Sequence, residues 1–129
     1  MVEAALICLA LNIYHEARSE NMTGKYAVAH VVMNRVASSK FPDTVCAVVK
    51  QSNARGCQFS WWCDGKSDTP YNKDEWAMAQ LIAEDVITGV SDDITHGAEF
   101  YHADYVSPYW AGLFTETVTI GSHIFYIEE

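Results

Sequence analysis

The chain has 129 residues, half of them apolar, and a formal charge of −9, as expected for one globular domain that buries roughly two-thirds of its unfolded surface. That charge offers nothing to neutralise phosphates, which excludes a nucleic-acid-binding module and adhesion to an anionic membrane. No apolar run approaches the ~20 residues of a spanning helix, so membrane insertion is excluded as well.

Residues 3 to 17 are expected to form the first helix. The apolar run from Ala4 to Leu11 is like the centre of a signal peptide, but it has no basic segment before it and no small-residue cleavage site before Tyr14. It therefore reads as a core helix, and export has to depend on something outside this chain. The helix closes on Tyr14-His15-Glu16-Ala17-Arg18-Ser19-Glu20, which sets two carboxylates one turn apart on a shared face if the helix continues that far. Glu16 follows Leu6, Ile7, Leu9, Leu11 and Ile13, where a helix would leave the core and meet a cleft. An apolar setting raises a carboxyl pKa, as a general acid working near neutral pH requires. The plain alternative is an exposed glutamate at a helix end.

Thr23 is expected to cap a second helix carrying Ala27, Val28, Val31, Val32 and Val36, which Ser38 and Ser39 end. This helix is apolar enough to be the central core element, with His30 a core or boundary histidine. Phe41-Pro42-Asp43 then turns the chain into a short helical segment from Thr44 to Lys50. Residues 51 to 71 read as a polar, aromatic loop. Asn72 and Glu75 form a capping pair for a helix carrying Trp76, Ala79, Ile82, Ala83 and Val86 and ending at Gly89. Ser91 to Gly112 reads as loop with short extended pieces. Thr115 to Ile120 and His123 to Ile127 alternate as two strands around Gly121-Ser122. The expected fold class is α+β, mostly helical with a small C-terminal β-hairpin.

The four cysteines, Cys8, Cys46, Cys57 and Cys63, admit three pairings. A Cys57–Cys63 bridge would pin the aromatic loop between them, and Cys8 either stays a buried thiol or meets Cys46. A zinc site is the rival reading, but the spacings contain no C-x2-C pair. His15-Glu16 begins like H-E-x-x-H, yet the fifth position is Ser19, and His30, His96, His102 and His123 have no ligand spacing, so neither metal nor cofactor is expected. No G-x-S-x-G elbow exists, and a cysteine nucleophile sits poorly with a disulfide-like pattern. The rings of Phe59, Trp61, Trp62, Phe100, Tyr101, Tyr105, Tyr109 and Trp110 either stack on sugar faces, beside Asn53, Gln58 and His102, or cover the core. Both readings stay open, with Trp76 assigned to the core.

Taken in order, several segments resemble the cell wall hydrolase family of the spore cortex-lytic enzyme SleB and its relative CwlJ. They are Tyr14 through Glu20, Ala27 through Val36, Phe41 through Val49, Cys57-Gln58-Phe59-Ser60-Trp61, Cys63-Asp64-Gly65, Asp93 through Ala98, Tyr101-His102, Pro108-Tyr109-Trp110 and Ile120 through Tyr126. The resemblance implies a single catalytic domain over residues 1–129 with a lysozyme-like fold. It implies a lytic transglycosylase that cuts peptidoglycan glycan strands between N-acetylmuramic acid and N-acetylglucosamine and leaves 1,6-anhydro ends. The first glutamate of the family's E-A-R-G-E signature is its catalytic one, and it falls on Glu16; Ser19 stands where the family has glycine. Such an enzyme needs one carboxyl that acts as acid and then as base, which leaves Glu20 a supporting or sugar-binding role. Were Glu20 base or nucleophile, a hydrolytic muramidase would be the better reading.

The expected cleft is lined by Gln58, Phe59, Tyr101 and His102, with Trp61, Trp110 and His123 as further substrate-binding candidates. Alternatives are an amidase or peptidase of the stem peptide, which needs a metal or a thiol, and a glycan-binding module without catalysis. The expected setting is the bacterial cell wall or periplasm, reached as a phage endolysin or as the excised catalytic domain of a larger wall enzyme, with the chain monomeric.

Overall fold

The computed structural model describes residues 2–128. Helix α1 (Val2–Ala17) buries Leu9, Ala10, Ile13, Tyr14 and Ala17 along one stripe, since residues three and four apart share a helical face. Helix α2 (Met22–Ala37) is the predicted central element and is buried along most of its length, Lys25, His30 and Arg35 included. Its cap is Asn21 rather than the predicted Thr23. Asn21 has extended backbone, from which its side chain accepts the Gly24 amide, whereas Thr23 already lies within the first turn.

Lys25 closes the turn between the two helices. Its Nζ donates to the carbonyls of Arg18 and Glu20 at 3.2 and 2.7 Å and pairs with Glu75 at 3.4 Å, a favourable place for a cation at the carbonyl end of α1. Ser19 fits this turn without strain, because His96 is the one non-glycine residue with positive φ among those described. Helices α3 (Val45–Val49) and α4 (Lys73–Ile87) begin at the side chains of Thr44 and Asn72, the latter accepting the Glu75 amide as predicted. Both pack on α1, around Leu9, Ile13, Val48, Val49 and Ile82.

The predicted terminal hairpin forms with its predicted boundaries, as β4 (Thr115–Ile120) and β5 (His123–Ile127). It is two-thirds of an antiparallel sheet of order β3-β5-β4, completed by β3 (Phe100–Ala103), one of the short extended pieces expected, without assigned positions, within Ser91 to Gly112. All four β3 residues are part-exposed, so the strand has no two-sided pattern for a sequence reading to find. The sheet meets α2 through Ala27, Val31, Ala98 and Phe125. The approach to β3 is tied to α2 as well: Asn34 donates to Asp93 and to the Ala98 carbonyl, both at 2.9 Å, and Asp93 accepts the amides of Thr95 and Gly97.

Within residues 51–71 a two-residue-strand hairpin, β1 (Ser52–Asn53) with β2 (Gly56–Cys57), precedes a 3-10 turn at Ser60–Trp62. Cys57 is bridged to Cys63, as the loop reading anticipated, and Cys8 to Cys46, which decides between the two options left open for Cys8. The Cys8–Cys46 bridge closes a separation of 38 residues. Replacing both of its cysteines with serine is expected to lower stability by about 2–4 kcal/mol, read as a shift in the urea midpoint. No helix among the described residues is long and apolar enough to cross a membrane.

Candidate active site

Glu16 lies in the last turn of α1, where the helix leaves the core. With Arg35, Gln58, Phe59, Phe100, Tyr101 and Trp110 it lines a cavity of about 170 Å³. Three separate parts of the chain build this cavity: two helices, the disulfide-closed loop, and β3 with the 3-10 turn Tyr109–Gly112. Glu16 is the one carboxylate in its lining.

Burial pushes the Glu16 carboxyl above the usual carboxylate range, against opposing pulls from the Tyr101 hydrogen bond and the charges of Arg35 and His15. The Tyr101 hydroxyl donates to Glu16 Oε1 at 2.5 Å. Its own pKa is driven well above the phenol value by burial and by that carboxylate, which keeps Tyr101 the donor of the pair at neutral pH. Tyr101 therefore favours the ionised acid and opposes burial. Tyr101→Phe removes that pull, so the descending, basic limb of the kcat/KM profile is expected to move to higher pH. In the same variant kcat should fall roughly tenfold, since a charge-assisted hydrogen bond is lost. A pH–rate series checks both.

Arg35 reaches the same cavity from α2. It is 5% exposed, donates Nε to the Glu99 carbonyl at 2.6 Å, and lies 4.9, 5.4 and 5.3 Å from the ring centroids of Phe41, Phe59 and Phe100. Aromatic faces and a carbonyl offset part of the cost of burying this guanidinium. Burial lowers its pKa while the neighbouring Tyr101, Glu99 and Glu16 raise it, and an arginine stays charged throughout. A signal existed in the sequence: Arg35 continues the core stripe of Val28, Val31 and Val32 at helical spacing, a charge where an apolar side chain is due.

Of the residues predicted to line the cleft, Gln58, Phe59, Tyr101 and Trp110 meet Glu16 in this cavity. His102 does not. Its Nδ1 donates to the Ala103 carbonyl at 2.8 Å, which leaves Nε2 to accept the Tyr126 hydroxyl at 2.8 Å, and its ring backs Trp110 from behind. Trp61 is likewise elsewhere: it is buried, stacked on His15, with Nε1 donating to Asn12 Oδ1 at 2.8 Å. A shape too large and apolar to leave exposed has been used to fill the core. His123 is buried behind Tyr101, with ring centroids 5.0 Å apart, and burial pushes its pKa down.

Glu20 is not part of this cavity's lining. It accepts the Ser122 hydroxyl at 2.7 Å and the Ser122 amide at 3.3 Å, and lies 3.6 Å from His123 Nδ1. Burial works to raise its pKa, but those Ser122 bonds and the charges of His123 and Lys25 hold it below the usual range. Close approach requires glycine on both sides, because a Cβ at Gly24 or at Gly121 would come within 2.9 or 2.8 Å of Glu20. The glutamate thereby fastens the β4–β5 turn to the α1–α2 turn.

The family model for cell wall hydrolases matches residues 19–126, beginning three positions after Glu16. A spore cortex-lytic enzyme of Bacillus cereus is 31% identical over 117 residues, which are 91% of this chain and 42% of that relative. The chain thus spans less than half the length of the curated relatives it matches. Among solved structures, the catalytic domain of the Bacillus cereus SleB protein superposes with a TM-score of 0.78 at 31% identity, covering 97% of this chain and 91% of that one. The catalytic domain of the germination-specific lytic transglycosylase SleB from Bacillus anthracis gives 0.77 at 31% identity, covering 95% and 93%. The α+β arrangement described above is the fold of those catalytic domains.

Proposed function

The chain belongs to the cell wall hydrolase family, and from that footing we propose that it is a catalytic domain that cuts the glycan strands of peptidoglycan between N-acetylmuramic acid and N-acetylglucosamine. The proposed reaction is a lytic transglycosylation. Glu16 protonates the glycosidic oxygen; as a carboxylate it then takes the proton from the muramyl 6-hydroxyl, which closes on C1 to give the 1,6-anhydro ring. The observation that carries this reading is a lone carboxyl in the cavity, raised by burial and held by Tyr101. A retaining or inverting hydrolase uses two carboxylates across the bond, and Glu20, the nearest second acid in sequence, is spent on Ser122. Tyr101 and Arg35 stabilise the carboxylate that the first step leaves, which suits a group that must serve as base in the second.

Amidase or peptidase chemistry finds less support. All four cysteines are bridged, and no three His, Cys, Asp or Glu side chains gather into a ligand set among the described residues. The proposed partner is the glycan strand, met by a monomer at the wall or in the periplasm. Mass spectrometry of digested peptidoglycan tests the assignment. Anhydro-muropeptides are the expected product. Reducing-end sugars would make the enzyme a hydrolytic muramidase, free stem peptides would make it an amidase or peptidase, and wall binding without release would leave a glycan-binding module.

A further inference from the structure

Past Gln58 and Trp110 the catalytic cavity adjoins a second, of about 280 Å³, whose remaining walls are Asn53, Arg55, Gly56, Cys57 and Tyr109. The charge of these two cavities inverts that of the molecule. The chain has 17 acidic and 8 lysine or arginine residues, yet the joined walls hold two arginines, Arg35 and Arg55, against Glu16 alone. With Glu16 protonated, this is a cationic groove in an anionic protein.

Arg55 is presented on a fixed support. It lies in the turn between β1 and β2, where its amide donates to Asn53 Oδ1 at 2.8 Å. Gly56 follows at φ +131, a conformation that side chains rarely adopt, and the Cys57–Cys63 bridge holds the base of the hairpin. Among the described residues no carboxylate pairs with Arg55. Arg35, by contrast, is committed to Glu99 and three phenylalanine rings. A guanidinium on a rigid turn, unpaired and facing a cleft, matches a carboxylate in two-point geometry.

We propose that the second cavity is a subsite for a carboxylate carried on the lactyl ether of a muramyl residue, with Arg55 as its cation. The proposal rests on the glycan-cleaving reading above. Muramic acid differs from glucosamine by that ether, which ends in a carboxylate when free and in a carboxylate-bearing peptide when substituted. A cation beside Trp110 therefore distinguishes the two alternating sugars and sets which linkage reaches Glu16. It also offsets locally the repulsion between an anionic polymer and an acidic protein, which salt weakens beyond about 10 Å.

The test compares the parent and Arg55→Gln on three soluble glycan substrates: strands with intact stems, strands stripped by an amidase to the free lactyl acid, and stripped strands with that acid converted to its neutral carboxamide. Lys73→Gln, a cation outside the groove, is the control. The ratio of kcat/KM on carboxylate-bearing strands to kcat/KM on the carboxamide is expected to fall about tenfold in Arg55→Gln, through KM, and to stay put in the control. A fall on the stripped acid alone identifies the lactyl carboxylate, and a fall on intact strands alone identifies the stem. An unchanged ratio overturns the subsite, whether or not overall activity drops. A parent that releases no glycan fragment from any of the three overturns the glycan reading instead, a distinguishable failure.

Discussion

Glu16→Gln is expected to slow release of soluble muropeptides by about 10²–10⁴-fold, the usual worth of a positioned acid–base group, while the folded protein becomes no less stable. The substitution keeps an oxygen to accept the Tyr101 hydroxyl and deletes the proton that the reaction needs. Its effect on stability has a definite sign. Burial lifts the Glu16 pKa in the folded chain, so between the ordinary carboxylate pKa and the raised one the native state binds more protons than the unfolded state. Stability contributed by this group is therefore present at low pH and declines as pH rises through that window. Glutamine has no such penalty. Melting curves of parent and variant should coincide in acid and separate above the window, with the variant the higher. A variant within threefold of the parent in rate would remove Glu16 from the chemistry. One that melts lower than the parent at neutral pH would mean that the carboxylate is stabilised in place, contrary to its burial.

The helices were legible because each rests on local signals. The Asn72 cap, the Gly89 stop and the stripe Val28, Val31, Val32 all act within a few residues of themselves, and all stand where expected. The terminal hairpin was legible for the same reason. What could not be read was anything decided by distant partners. Tyr101 bonds Glu16 across 85 residues, and nothing near Tyr101 records that the bond exists. The edge strand β3 is a product of β5, which pairs Tyr101 with Phe125. His102, next along the same strand, looks as polar and as available as its neighbour until Ala103 and Tyr126 are found to hold it. Glu16 could be singled out because the apolar run before it is local, but the surroundings of Arg35 and Glu20 are legible only from the distant atoms each one touches.

The aromatic loop shows the same limit at its sharpest, and it yields a large effect on stability. Phe59, Trp61 and Trp62 lie within four positions of one another, and composition treats them alike, but their exposures part: Phe59 is 3% exposed, Trp61 5% and Trp62 39%. Trp61→Ala is expected to destabilise the protein by about 3–5 kcal/mol, the range for emptying a large buried aromatic site. The ring that would be lost stacks on His15 at 4.7 Å and meets Trp62 edge-on at 5.9 Å. The indole Nε1–H is the partner of Asn12 Oδ1, and Asn12 is fully buried with its Nδ2 already lacking a partner. Removing the indole would leave both polar atoms of that amide unmet, a penalty beyond the cavity itself. Trp61→Phe should recover much of the packing but not the hydrogen bond, and so fall between parent and alanine in a urea titration. If Trp61 were instead a sugar platform, alanine would leave the urea midpoint alone and raise KM. Trp110, part-exposed and on the cavity wall, is where that second pattern belongs: Trp110→Ala should raise KM several-fold with a smaller change in midpoint than Trp61→Ala.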